Sequence, residues 1–256
     1  MTKRRKFLLV SFLLTLGLVG TQFMQVEFRY QAVMVLAFVA YGLSAWALFD
    51  DLNGIEWLTI LALPTLYPVS VGLFYFLLPE GLLSRIFVLS LFGVGMYALL
   101  LTENIFSVAA IRTIQLLRAA HAVGFLLTLV TAFFLYDTMW SFRWPFLMNG
   151  LWVMSFSFLL LLQGLWSAEL LEGSMSKKTW LFAAILSLGL AEVAVGLSFW
   201  PVSITVGSLF LVAMMYVALG LSQQYFMGRL FGKTLREYLG VGIVVLLTLT
   251  LLTPWG

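Results

Sequence analysis

Glu192 is the residue best placed for chemistry in this chain, because it is a carboxyl set near the middle of an apolar run, Thr179–Trp200. An ionisable group at that depth in hydrocarbon is costly, and by default it marks a proton- or cation-linked site. Gly189 and Gly196 share its helical face at i−3 and i+4, where small residues let a second backbone or a water-filled cleft approach. The same features suit a structural role, in which a protonated Glu192 hydrogen-bonds a neighbouring helix. Pro64 and Pro68 complete the candidate transport site. Proline inside a helix removes a backbone hydrogen bond and kinks the rod, and broken helices are how many transporters build mid-membrane sites.

A second polar constellation runs from Glu103 to His121. Ile105, Phe106, Ala109, Leu116, Leu117 and Ala120 share one helical face, while Glu103, Ser107, Gln115, Arg118 and His121 fall on the other, with Ile111 and Ile114 intruding. This pattern reads as an interfacial helix on the cytoplasmic side, or as a long cytoplasmic extension of the fifth span. Arg112 and Arg118 would then meet anionic lipid headgroups, as simple lipid contact or as a headgroup-binding platform. His121 is the only histidine. Alone it builds neither a zinc nor a haem site, and it is placed to cap the inner end of a span. Asp50 and Asp51 suit two readings: a docking partner for the basic loop of Arg112 and Arg118, or a divalent cation acting on a phosphate-bearing lipid head. Two adjacent carboxylates without a further ligand motif argue weakly for metal, and no metal or cofactor is expected. The run Gly228–Thr234 has three rather than four residues between its glycines and no preceding strand, so it is not a P-loop. No His-Glu-x-x-His or Gly-x-Ser-x-Gly motif is present, which ranks an enzyme on lipid-linked substrates behind a transporter or an assembly subunit.

The elements that must hold these residues follow from composition. Apolar residues make up 62% of the 256 residues and charged residues 10%, against about 45–50% and about 25% in a soluble domain. The absence of cysteine removes disulfides and thiolate sites. A membrane-crossing helix needs about 20 mostly apolar residues, and nine runs qualify: Phe7–Phe23, Gln31–Phe49, Ile55–Leu78, Leu82–Leu101, Ala119–Tyr136, Pro145–Trp166, Thr179–Trp200, Val202–Ser222 and Tyr238–Leu252. The chain is therefore expected to be an all-α polytopic transmembrane bundle of about nine spans. With the N-terminus in the cytoplasm, eleven of the 14 Lys and Arg fall inside and only Arg29, Arg85 and Arg143 fall outside, as the positive-inside rule requires. The C-terminus is then outside. Every Trp except Trp152 lies at a span end, where indole rings favour the interface. A basic start and short apolar core resemble a signal peptide, but no small-x-small cleavage site follows Gly20, so an uncleaved anchor is expected.

Spans two to five and six to nine echo each other. Phe28-Arg29-Tyr30 matches Phe142-Arg143-Trp144, Val69–Leu73 matches Val193–Leu197, and Leu126–Leu129 matches Leu246–Leu249, in the same order. This suggests an anchor span with its outer loop (1–30), a first four-span repeat (31–137, including the amphipathic segment 103–121) and a second (138–256), in parallel orientation. The stretch Glu103–Phe106 with Arg112–Gly124 resembles a segment of uncharacterised multi-pass bacterial membrane proteins. The resemblance covers about 20 residues, implies no activity and carries over no functional residue. The reading is a bacterial plasma-membrane protein, transporter-like with its site at Glu192, or else a non-catalytic assembly subunit. Its partners are the bilayer and anionic headgroups. No nucleic acid is expected, and protein partners are not legible.

Overall fold

The computed structural model describes residues 2–78, 81–109, 116–170 and 175–253, apart from the side chain of Asp51. Among these residues there is no strand, and nine helices follow one another: α1 (Lys3–Gln22), α2 (Arg29–Leu48), α3 (Glu56–Tyr75), α4 (Leu82–Ala109), α5 (Leu117–Ser141), α6 (Phe146–Ala168), α7 (Lys177–Leu197), α8 (Ile204–Phe226) and α9 (Gly232–Leu252). Each is long and apolar enough to cross a membrane. The helix is one of the two ways to cross a bilayer, since it bonds every backbone group within its own segment where no water is present. Side chains obey the same rule. Ser11 donates to the carbonyl of Phe7 at 2.9 Å, Thr128 to that of Gly124 at 2.8 Å and Thr131 to that of Leu127 at 2.7 Å.

The helices form two compact units, 1–134 and 135–256, with the division inside α5. In the first unit α1 packs on α2 and α4, and α3 packs on α2 and α4. Phe7, Val10, Leu14 and Leu18 of α1 are fully buried there, so the first span is a core element of its unit. Tyr67 of α3 stacks on Phe92 of α4 with centroids 5.5 Å apart, and Gly95 leaves room for the tyrosine hydroxyl. In the second unit α6 packs extensively on α7, α8 lies against both, and α9 packs on α8. Gln223 of α8 donates its amide to the Gly164 carbonyl of α6 at 2.9 Å. Most of α9 is exposed, with Leu249 its one buried described residue.

Several helices outrun the apolar windows, α5 among them, which runs past Tyr136 to Ser141. α4 continues past Leu101 to Ala109, and α9 begins at Gly232 rather than Tyr238. Hydropathy falls at Glu103, Asn104 and Lys233, yet none of these is a helix breaker, and a Lys233–Glu237 pair at i,i+4 (4.0 Å) supports the start of α9. The polar segment expected at 103–121 is thus the end of α4 and the beginning of α5, and its middle, 110–115, lies outside the described residues. α3 is continuous through Pro64 and Pro68, both buried, so the structure has a proline-bearing helix where the sequence suggested a broken one. Neighbouring helices and local hydroxyls tolerate proline in such spans. The loop acids serve as local staples: Glu56 Oε2 accepts from the Asn53 amide at 2.9 Å, while Glu169 Oε2 accepts from the Ser176 amide at 3.3 Å and from the Thr179 hydroxyl.

Close approach without a hydrophobic drive requires small residues. A Cβ at Gly207 would strike the Trp140 ring, whereas one at Gly189 would meet nothing within 4 Å. Gly207→Ala should therefore lower the stability of the full chain by about 1–3 kcal/mol through overpacking. Gly189→Ala should be neutral or slightly stabilising by helix propensity. Thermal unfolding in detergent separates the two; equal melting temperatures would contradict the Gly207 packing.

Candidate functional site

Glu192 lies in the C-terminal third of α7, which ends at Leu197, and is exposed on the outward face. It forms part of an open groove of about 300 Å³ between α6 and α7, lined with Gly150, Met154, Leu188 and Ala191 among others. Gly150 faces the Val195 side chain and the Ala191 carbonyl, which is why the floor of this groove is shallow and the two helices are close. Gly189 and Gly196 flank Glu192 as expected from the spacing, and no described atom lies within 4 Å of where a Cβ on either would stand. The arrangement is a carboxyl on a smooth, otherwise apolar helix face. Pro64 and Pro68 are buried in the first unit, whereas Glu192 belongs to the second.

The inner-loop candidates are dispersed. Asp50 is exposed and pairs with Lys6 Nζ at 3.7 Å, and that ammonium also lies 5.3 Å from the Trp46 ring centroid. Such an exposed pair contributes about 0–1 kcal/mol. Arg118 is exposed at the start of α5, and His121 packs against Phe106 with ring planes tilted by 45° and centroids 5.3 Å apart. Arg112 and the Asp51 side chain lie outside the described residues. Among the described residues no three His, Cys, Asp or Glu side chains converge.

The structure adds two acids that the apolar windows passed over. Glu103 is fully buried in α4, one turn before Phe106. Asp137 is buried in α5, with Thr205 hydrogen-bonded to its side chain and Oδ1 lacking a partner among the described residues. It heads a polar layer in the second unit. Adjacent Tyr136 is fully buried, with its hydroxyl 2.6 Å from Ser157 Oγ and 3.5 Å from Met215 Sδ. Asn149 Nδ2 donates to Ser198 Oγ at 3.2 Å. The signal for Asp137 was the absence of any Gly, Pro or Asn between Tyr136 and Ser141, which lets α5 continue beyond its apolar window. Glu103 carried no local signal, because its burial comes from helices distant in sequence.

Nine helices among the described residues, each long and apolar enough to cross a membrane, define the class: a polytopic α-helical membrane protein. No curated protein and no solved structure matches the chain. The chain belongs to the DUF5656 family, described as a protein of unknown function, whose model matches residues 43–252.

The Tyr136–Ser157 contact makes a prediction for this layer. Tyr136→Phe strands the serine hydroxyl and should cost about 0.5–1.5 kcal/mol, and the double variant Tyr136→Phe/Ser157→Ala should recover most of it, because removing both partners is nearly neutral. A double-mutant cycle on thermal unfolding reads the coupling; strict additivity would show that the bond contributes nothing.

Proposed function

We propose that this protein is a non-catalytic assembly subunit of the membrane that receives a transmembrane helix of a partner on the α6/α7 face. One observation carries the reading: Glu192 is exposed on an open face of α7 rather than lining an enclosed cavity, as a transport site would require. A carboxyl directed at lipid is costly, and covering it with a helix that offers a hydrogen-bond donor removes the cost. Gly189 and Gly196 leave the space for a helix backbone to approach.

The test is photo-crosslinking in native membranes from position 188, beside Glu192. The wild-type chain should give one discrete adduct, whose mass distinguishes a different protein from a second copy. Glu192→Leu should lower the adduct by roughly tenfold, in line with about 1–2 kcal/mol for an interhelical polar contact. Gly189→Leu should abolish it while leaving the melting temperature unchanged. No adduct above background would refute the docking reading.

Proton-linked transport is the second reading, favoured by the isolation of a carboxyl within an apolar span. It predicts a pH-driven flux in reconstituted vesicles that Glu192→Gln removes. Flux of that kind, without any crosslinked partner, would decide for transport.

A further inference from the structure

Arg29 and Arg85, two of the three basic residues that loop counting leaves on the outer side, meet at one end of the first unit. All four of its fully included helices contribute there: Gln22 ends α1, Arg29 begins α2, Tyr75 ends α3 and Arg85 lies in the first turn of α4. They line a small pocket of about 30 Å³ with Phe76 and Leu78. Arg85 Nε donates to the Tyr75 hydroxyl at 3.1 Å. Aromatic faces hold both guanidinium groups, with Arg29 Cζ 5.3 Å from the Phe76 centroid and Arg85 Cζ 5.9 Å from that of Phe23. Two donors remain buried without a partner among the described residues, Arg29 Nε and Gln22 Nε2.

The electrostatics call for an anion. Two helix N-termini and two C-termini lie at this end, so their partial charges largely cancel and the two guanidinium charges are left over. Neither α2 nor α4 has an acidic residue in its first turn. Glu27 is exposed, Glu80 of the α3–α4 loop lies outside the described residues, and among the described residues neither arginine takes part in an ion pair. Arginine forks suit phosphate oxygens, and about 30 Å³ of space admits only about two water-sized groups. That matches the two non-bridging oxygens of a phosphodiester, with its ester arms outside.

A second cavity indicates where one arm goes. An apolar groove of about 470 Å³ shares Leu78 with the arginine pocket and runs down α3, α4 and the first part of α5, past Ser84, Val88, Leu91 and Gly95. From Ser84 to Gly95 the groove follows about 16 Å of helix axis, roughly half of a bilayer's hydrocarbon thickness. That is the depth of one leaflet. We propose that the first unit binds an anionic phospholipid, its phosphodiester held by Arg29, Arg85, Gln22 and Tyr75 and one acyl chain in the groove between α3, α4 and α5.

The full-length chain, delipidated in mild detergent, can be titrated with phosphatidylglycerol and followed by native mass spectrometry. One lipid should be retained per chain. Arg29→Gln/Arg85→Gln should weaken retention by tenfold or more, as expected for lost charge-assisted hydrogen bonds. The double Lys variant, which keeps charge but loses the planar fork, should fall between the two. Leu91→Trp, which fills the groove without touching the phosphate end, should also displace the lipid, whereas Arg143→Gln in the other unit should not. Thermal unfolding of each variant separates lost binding from lost folding. Retention by the folded double Gln variant would overturn the proposal. Competition by inorganic phosphate at lipid-like concentrations, with Leu91→Trp silent, would also overturn it by showing a free-anion site.

Discussion

Hydrocarbon offers a polar group no partner, and the rest of this structure depends on that single constraint. In water an unpaired hydroxyl or amide would be hydrated at little cost; within a bilayer it must find a protein partner. The constraint explains why Ser and Thr side chains fold back on carbonyls one turn earlier, as at Ser11 and Thr128. It also explains why the longer polar side chains inside the second unit bridge helices, as Gln223 does to Gly164. Apolar side chains, by contrast, are free to face either way. Leu14 and Leu160 are buried while Leu83 and Leu251 are exposed, because lipid and protein interior are nearly equivalent solvents for leucine. Helix association therefore rests on close fit, which glycines such as Gly95 and Gly207 make room for.

Against this background the groups that escape the rule stand out. Most are in ones and twos within an otherwise satisfied core. Glu192 escapes it by facing outward on α7, and Gln22 and Arg29 by holding buried donors toward a pocket that no described carboxylate fills. Ser44 Oγ and Trp140 Nε1 are also buried without a partner among the described residues, but Gln22 and Arg29 are the ones that line a pocket, where binding can recover the cost. The two sites differ in kind. One is a flat, small-residue face with a single carboxyl, suited to a helix; the other is a narrow cationic pocket above an apolar groove.

The number and approximate limits of the nine helices were legible from runs of about 20 apolar residues, and the structure extends α4 and α9 where polar residues lowered hydropathy without breaking the helix. Glu192, Gly189 and Gly196 were legible as one face from spacing alone. The direction of that face was not, since a span with polar residues so sparse has no strong side. Asp137 lies just past the apolar run that ends at Tyr136, and Glu103 falls on the polar half of an amphipathic pattern, so local sequence does not mark the burial of either. Arg29 and Arg85 were noticed only as exceptions to a charge count, although the chain carries them to the same pocket from positions 29 and 85.

By itself the sequence determined the class, the helix count and which residues are too polar for lipid, because solvation by hydrocarbon is decided within a single 20-residue window. Tertiary structure decided which faces turn inward. It buried Glu103 and Asp137, left Glu192 outward and brought Arg29 beside Arg85. Those outcomes depend on close packing between helices far apart in the chain, and apolar surfaces of nearly uniform composition carry little local record of which partner they will meet.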